Sequence, residues 1–222
     1  MNRVGVVVFP GSNCEYDAAA AMNALGAKAE LVWHSTTDLS GFDGVILPGG
    51  FAHGDYLRPG ALARFSPVME AVSRFAHTGG PVLGICNGFQ VLAEAGLLPG
   101  ALQKNIGLTF LSQPTTLVVT SNNSVLTSGA VIGQELVIPI NHFVGSYTCD
   151  DETLKRVLDS GQVVLRYKEN PNGSRADIAG LANERGNVVG LMPHPERAMS
   201  TLLGSADGRV LLESFVAANV AA

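Results

Sequence analysis

Pro81-Val82-Leu83-Gly84-Ile85-Cys86-Asn87-Gly88-Phe89-Gln90 sets one thiol between two glycines at the end of an apolar run. Pro81 to Ile85 is short, apolar and preceded by Gly79-Gly80, which suits a buried parallel strand; Phe89 to Ala95 is free of glycine and proline and predicts a helix closed by Gly96. Cys86 then falls at the turn between them. Such a turn is sharp and strains the nucleophile's backbone, so the residues two before and two after it must be small, and here they are Gly84 and Gly88. A thiol there faces the amide N–H groups and the positive dipole end of the following helix, which favour a thiolate and can also hold an oxyanion. An inert core cysteine is the bland alternative, and it leaves the paired glycines unexplained.

A thiolate needs a proton-transfer partner, and five histidines are available. His34 follows the apolar run Leu31-Val32-Trp33, His53 lies in a glycine-rich loop, His77 closes a helix as an ordinary C-terminal cation, and His142 follows Val137-Ile138-Pro139-Ile140 with its role open. His194 is the strongest candidate. It follows the apolar run Val188 to Met192 and stands in Met192-Pro193-His194-Pro195-Glu196-Arg197. Pro195 biases His194 toward extended geometry, where side chains at i and i+2 share a side, so Glu196 is expected to reach and orient the imidazole.

Composition removes several function classes. With 222 residues, 46% hydrophobic and 15% charged, the chain can bury a sizeable core, and residues 1–222 are expected to form one domain. A net charge of −5 and no Lys/Arg run argue against a nucleic-acid partner. The three cysteines, at 14, 86 and 149, make neither a disulfide framework nor a zinc spacing and fit a reducing compartment. The apolar run Val4 to Phe9 is too short for a signal sequence and no segment approaches membrane-spanning length, so a cytoplasmic protein with no membrane partner is expected.

Residues 1 to 100 alternate strand and helix: Gly5 to Phe9, Ala29 to Trp33, Gly44 to Leu47 and the elbow strand as strands, with helices over Glu15 to Leu25 and Pro67 to His77. Pro10-Gly11-Ser12-Asn13 reads as a loop with a helix N-cap. The rhythm predicts an α/β fold, a parallel sheet with helices on both faces, whose ligands sit beyond the carboxyl ends of the strands. From about Leu108 the rhythm changes. Leu117 to Thr120, Glu135 to Ile140, Gln162 to Tyr167, Ile178 to Leu181 and Val188 to Met192 read as strands, with a hairpin at Glu184-Arg185-Gly186-Asn187 and helices over Asp151 to Ser160 and Arg209 to Ala218. This β-rich second half is expected to elaborate the same sheet.

Pro48-Gly49-Gly50 after Val45-Ile46-Leu47 is an ordinary turn or, beside Cys86, half of an oxyanion hole: Asn87 supplies one backbone N–H and Gly50 the second, unobstructed by a side chain. Glycine backbone gives that loop no local reason to hold its orientation. Cys14 also lies near a helix start, but it lacks flanking glycines and is expected to be a packing residue.

The elbow Gly84 to Gln90, the Pro48-Gly49-Gly50 loop and His194-Pro195-Glu196 occur in the order used by the class I, or triad, glutamine amidotransferases, and the chain resembles that family over nearly its whole length. Phe9-Pro10-Gly11-Ser12-Asn13-Cys14, Gly54-Asp55-Tyr56-Leu57-Arg58, Asn170-Pro171-Asn172-Gly173-Ser174 and Met192 to Ala198 are similar to the branch serving a synthetase of purine biosynthesis. Three stretches depart from its pattern: Ala52-His53 stands for the usual Ser-Tyr, Asn141-His142-Phe143-Val144-Gly145 for Ala-His-Gly-Glu-Gly, and Leu111-Ser112-Gln113 for a stretch with Cys and Trp. The resemblance implies a flavodoxin-like open parallel sheet and a glutaminase that passes ammonia to a synthetase subunit, with room for a small accessory subunit. It also implies that ATP, magnesium and formylglycinamide ribonucleotide bind the synthetase, and that this chain holds no cofactor and no metal. Cys86 would attack the carboxamide, His194 would move the protons, Glu196 would fix the imidazole, the Asn87 and Gly50 amides would hold the oxyanion and Gln90 would contact the glutamine head group. A stand-alone cysteine hydrolase of flavodoxin-like fold and a non-catalytic binding module are the rival readings.

Overall fold

A computed structural model of the chain describes residues 2–218. The first half runs β1 (Arg3–Val8), α1 (Glu15–Ala24), β2 (Lys28–Trp33), β3 (Gly44–Leu47), α2 (Pro67–His77), β4 (Val82–Ile85) and α3 (Asn87–Glu94). The second half runs β5 (Ala101–Lys104), β6 (Leu111–Val119), β7 (Glu135–His142), β8 (Val144–Thr148), α4 (Asp151–Asp159), β9 (Val163–Tyr167), β10 (Ile178–Ala182), β11 (Val188–Leu191) and α5 (Gly208–Ala218).

Nine strands form one sheet in the order β2-β1-β3-β4-β11-β10-β9-β6-β7. From β2 to β11 every neighbouring pair is parallel; from β11 to β7 every pair is antiparallel. The expected parallel α/β sheet is therefore one half of the molecule, and the β-rich second half extends it edge to edge. Residue pattern explains the division. All four residues of β4 are buried, as both-faced burial in a parallel sheet requires, whereas β7 alternates, with Leu136, Ile138, Ile140 and His142 buried. The β1-to-β2 and β3-to-β4 crossovers step in opposite directions along the sheet, so right-handed connections put α1 and α2 on opposite faces.

Helix starts follow the side chains available. Pro67 opens α2, where its missing N–H costs nothing, and the Asp150 carboxylate accepts the Thr153 N–H at 2.6 Å to cap α4. The side-chain cap expected from the loop Pro10-Gly11-Ser12-Asn13 does not form. Cys14 occupies the N-cap of α1, and the Asn13 side chain instead accepts from the Cys14 thiol at 3.0 Å.

Two strands were invisible in the sequence and two were longer than expected. β5 and β8 form a separate antiparallel pair, and only one residue of β5 is even half-buried, so no alternation betrays it. β6 begins at Leu111, not Leu117, and β7 continues to His142, because the polar segment Ser112 to Thr115 pairs residue by residue with Asn141 to Ile138. Pairing, not burial, makes that segment a strand.

Candidate active site

The carboxyl ends of β1, β3, β4 and β11 meet at one rim. Ile85 pairs with Leu191 and Leu47 with Gly84, so the chain leaves three adjacent strands at one level, and Ser12 after β1 bridges to Gly50 after β3. At that level stands Cys86, with φ 50° and ψ −104°, a backbone state that a non-glycine residue holds only when its surroundings enforce it. The surroundings do. The Cys86 N–H donates to the Leu191 carbonyl at 2.8 Å, and the flanking glycines leave no room for side chains: a Cβ on Gly84 would lie 2.5 Å from Leu92, and one on Gly88 would overlap the Leu47 carbonyl oxygen. The thiol is 7% exposed and its sulfur lies 3.7 Å from the Asn141 carbonyl oxygen.

His194 Nδ1 and Glu196 Oε1 lie 2.6 Å apart, with both side chains buried. The route to this contact differs from the expected one: residues Pro195–Arg197 form a single 3₁₀ turn and His194 has φ −106°, ψ 84°, so the turn, not strand alternation, swings Glu196 under the ring. The other ring nitrogen, Nε2, is buried and has no protein hydrogen-bond partner. Burial alone would discharge this imidazole, but the Glu196 carboxylate and the Cys86 sulfur, with Cys14 behind them, outweigh it and hold His194 well above its ordinary value. A buried Nε2 proton with no other acceptor is what a proton shuttle beside a thiol needs.

Gly49 and Gly50 have separate tasks. A Cβ on Gly49 would sit 2.8 Å from His194 Cε1 and 3.1 Å from the Cys14 sulfur, so the first glycine admits the imidazole. Gly50 has φ 142° and lines the cavity, with its N–H bonded to no acceptor among the described residues. Contrary to the expectation of a slack loop, this backbone is tied on every side. Gly49 O accepts from Cys14 N at 3.2 Å, Phe51 N donates to Gly11 O at 2.9 Å, His53 N to Pro10 O at 2.6 Å, and Ala52 N to the Asn87 side-chain oxygen at 2.9 Å. Glycine's freedom is real in an isolated loop; here neighbouring segments remove it. Asn87 thus does more than offer its own N–H at the start of α3, because its side chain moors the loop that carries Gly50.

The rim encloses a cavity of about 630 Å³ that includes Cys86, His194, Gly50 and Gln90. Gln90 is buried: its Oε1 accepts from Asn87 Nδ2 at 2.8 Å and its Nε2 donates to Val144 O at 2.5 Å. His142, left open by the sequence, also lines the cavity; burial, aided by the charge on His194, lowers it to about 4, and Asn105 Oδ1 lies 3.1 Å from its Nδ1. His34 and His53 stack edge to face on each other, while His77 bonds back to Ser73 O in its own helix; none lines the cavity. Cys14 is not mere packing. Its sulfur lies within 4.8 Å of ligand atoms of His194 and Glu196 and accepts from Arg197 Nη2 at 3.1 Å. Those three donors match a metal site in spacing, but the Arg197 guanidinium already holds the sulfur with positive charge. Cys14 and Gly49 were legible only as a thiol and one glycine of a pair, since the imidazole they touch belongs to a segment at the far end of the chain.

A family model described as a CobB/CobQ-like glutamine amidotransferase domain matches residues 1–209. The chain is 56% identical over 215 residues, 97% of its length and 98% of the relative's, to phosphoribosylformylglycinamidine synthase subunit PurQ of Rubrobacter xylanophilus. Among solved structures, a chain of PurLQS from Thermotoga maritima superposes with a TM-score of 0.90 at 42% identity, covering 97% of this chain and 98% of that one. A putative GMP synthase component from Thermoplasma acidophilum shares the fold with a TM-score of 0.69 at 17% identity, covering 100% of this chain and 95% of that one.

Proposed function

The chain belongs to the CobB/CobQ-like glutamine amidotransferase family, and from that premise we propose how it works as the glutaminase subunit of a phosphoribosylformylglycinamidine synthase. Its single domain releases ammonia from glutamine in the cytoplasm. A synthetase partner, with a small accessory subunit in the complex, uses that ammonia to amidate formylglycinamide ribonucleotide with ATP and magnesium.

The Cys86 sulfur, its proton already held on His194 Nε2, attacks the carboxamide carbon of glutamine. The carbonyl oxygen, now an oxyanion, rests between the Asn87 and Gly50 N–H groups, both fixed before the substrate arrives. As the tetrahedral intermediate collapses, the C–N bond breaks, His194 gives its proton to the departing nitrogen, and ammonia leaves a γ-glutamyl thioester on Cys86. His194 then takes a proton from water, whose oxygen displaces the sulfur, and glutamate leaves the Cys86–His194 pair as it began. Glu196 keeps Nδ1 protonated and aims Nε2 at the sulfur throughout. Gln90 borders the glutamine side chain through the amide it holds against Val144 O.

The observation that carries this reading is the buried 2.6 Å contact of His194 with Glu196 in the cavity that holds the strained Cys86 elbow. The test is to assemble the chain with its synthetase and to measure amidation with glutamine and with free ammonia. Cys86→Ala is expected to lose glutamine-dependent amidation by at least about 10³-fold while ammonia-dependent amidation stays near wild type. Loss of both activities to the same degree would refute the assignment of Cys86 to ammonia release.

A further inference from the structure

The cavity is far larger than a carboxamide, and two charges of opposite sign line it without ionic partners among the described residues. The Asp55 carboxylate accepts one hydrogen bond, from Asn87 Nδ2 at 3.1 Å, and makes no ion pair among the described residues. Lys104 also lines the cavity without a carboxylate partner among the described residues, its Nζ 5.9 Å from the centroid of the Phe143 ring. Arg58 is already satisfied, since its Nε and Nη2 donate to the Glu94 carboxylate at 2.6 and 2.8 Å.

The backbone goes to some cost to turn Asp55 inward. His53, Gly54 and Asp55 have φ of 54°, 71° and 53°, and Leu57 has 69°, a run of left-handed residues that only one glycine eases. The carboxyl they present is half-buried, and that burial pushes it up to about 6, with the Asn87 amide holding it down in part. A strained segment that desolvates a carboxylate and gives it no cation is unfavourable in the empty cavity, and a bound cation relieves it. Position narrows the cation. Asn87 follows the nucleophile directly and its side-chain amide bonds Asp55 and Gln90 together, so Asp55 is tied to the elbow and not to the outer rim.

We infer that Asp55 holds the α-ammonium group of the substrate, with Lys104 facing its α-carboxylate, so that the cavity selects an α-amino acid amide over amides lacking that charge. The inference rests on the glutaminase reading and narrows its substrate. Asp55 touches no reacting atom and acts as a specificity residue. A site built around a buried polar group rejects a ligand that leaves the group unpaired, which is the expected source of the discrimination.

The test compares L-glutamine with 4-carbamoylbutanoate, the same molecule without its α-amino group, as substrates of the chain assembled with its synthetase. The wild-type complex is expected to prefer glutamine in kcat/KM by about 10² to 10³. In Asp55→Asn the preference should shrink to within about ten-fold, mainly through a raised KM for glutamine. Far-UV circular dichroism of the variant is the control for folding. Asp55→Glu, which keeps the charge, should retain a preference of at least about ten-fold. A parallel fall for both substrates, or a preference untouched by Asp55→Asn, would overturn the inference and leave the glutaminase reading intact. A wild-type complex that released no ammonia from glutamine would overturn both.

Discussion

Glu196 and Asp55 are carboxylates of one site with opposite electrostatic situations. Glu196 is buried against His194, whose positive charge it stabilises, and the proposed mechanism has it orient the ring. Glu196→Gln keeps the shape but removes the charge that fixes the tautomer, so turnover with saturating glutamine should fall by up to about 10⁴ with the fold intact. Unchanged turnover would make Glu196 a bystander. Asp55 stands half-buried at about 6 against an ordinary 3.8. A raised carboxyl binds its proton more tightly when folded, so its contribution is favourable below the ordinary value and is lost as pH climbs from about 4 to 6. Asparagine does not ionise, so Asp55→Asn should gain stability over wild type across that window and level off above it, by about 1 kcal/mol after allowance for solvent screening. Thermal melts of the free chain at several pH values measure this, and equal shifts at pH 4 and pH 7 would contradict it. Cys86, His194 and Glu196 were legible as residues because their chemistry is written in short spacings. Cys14, Gly49 and Asp55 were not, because each acquires its meaning from a neighbour distant in the chain.

The elbow, the His194 turn and the Gly49-Gly50 loop are three local elements joined by few bonds. Asn87 makes the most telling of them, since its side chain holds Ala52 N at 2.9 Å and Asp55 Oδ1 at 3.1 Å. Removing it should free the Gly50 amide that the neighbouring loops otherwise fix. Asn87→Ala is therefore expected to lower kcat by about 10² with a smaller change in Tm than in activity. A kcat within about two-fold of wild type would show that the other loop hydrogen bonds suffice. The elbow itself was readable from Gly84 and Gly88, because the steric demand of the turn falls on adjacent residues. The mooring of the loop was not, because the sequence shows that glycine is free and does not show what removes the freedom.

Across the whole molecule, several large apolar side chains stand exposed, some of them at the cavity. Tyr56, Leu57, Ile106 and Leu108 are 67–86% exposed, and Phe51 and Phe110 are 50% exposed. Leu57 and Phe110 also line the cavity, so part of this surface adjoins the site. If the chain docks on a synthetase through this face, Ile106→Glu should reduce glutamine-dependent amidation by the complex at least about ten-fold at limiting partner concentration while the free chain keeps its glutaminase rate. Equal loss in the free chain would place Ile106 in the folding of the cavity wall instead. Patterns that repeat every two or four residues, and turns that restrict residues to glycine, let the chain announce its α/β first half, its continuation into a β-rich second half and the Cys86, His194 and Glu196 trio, because those demands are local and act through sterics and burial. The antiparallel pair β5 and β8, the early start of β6, the hold on Gly50 and the charge pairing offered by Asp55 and Lys104 depended on long-range packing. An exposed strand such as β5 buries too little to leave a pattern, and a side chain's electrostatic role is set by which distant segments fold against it.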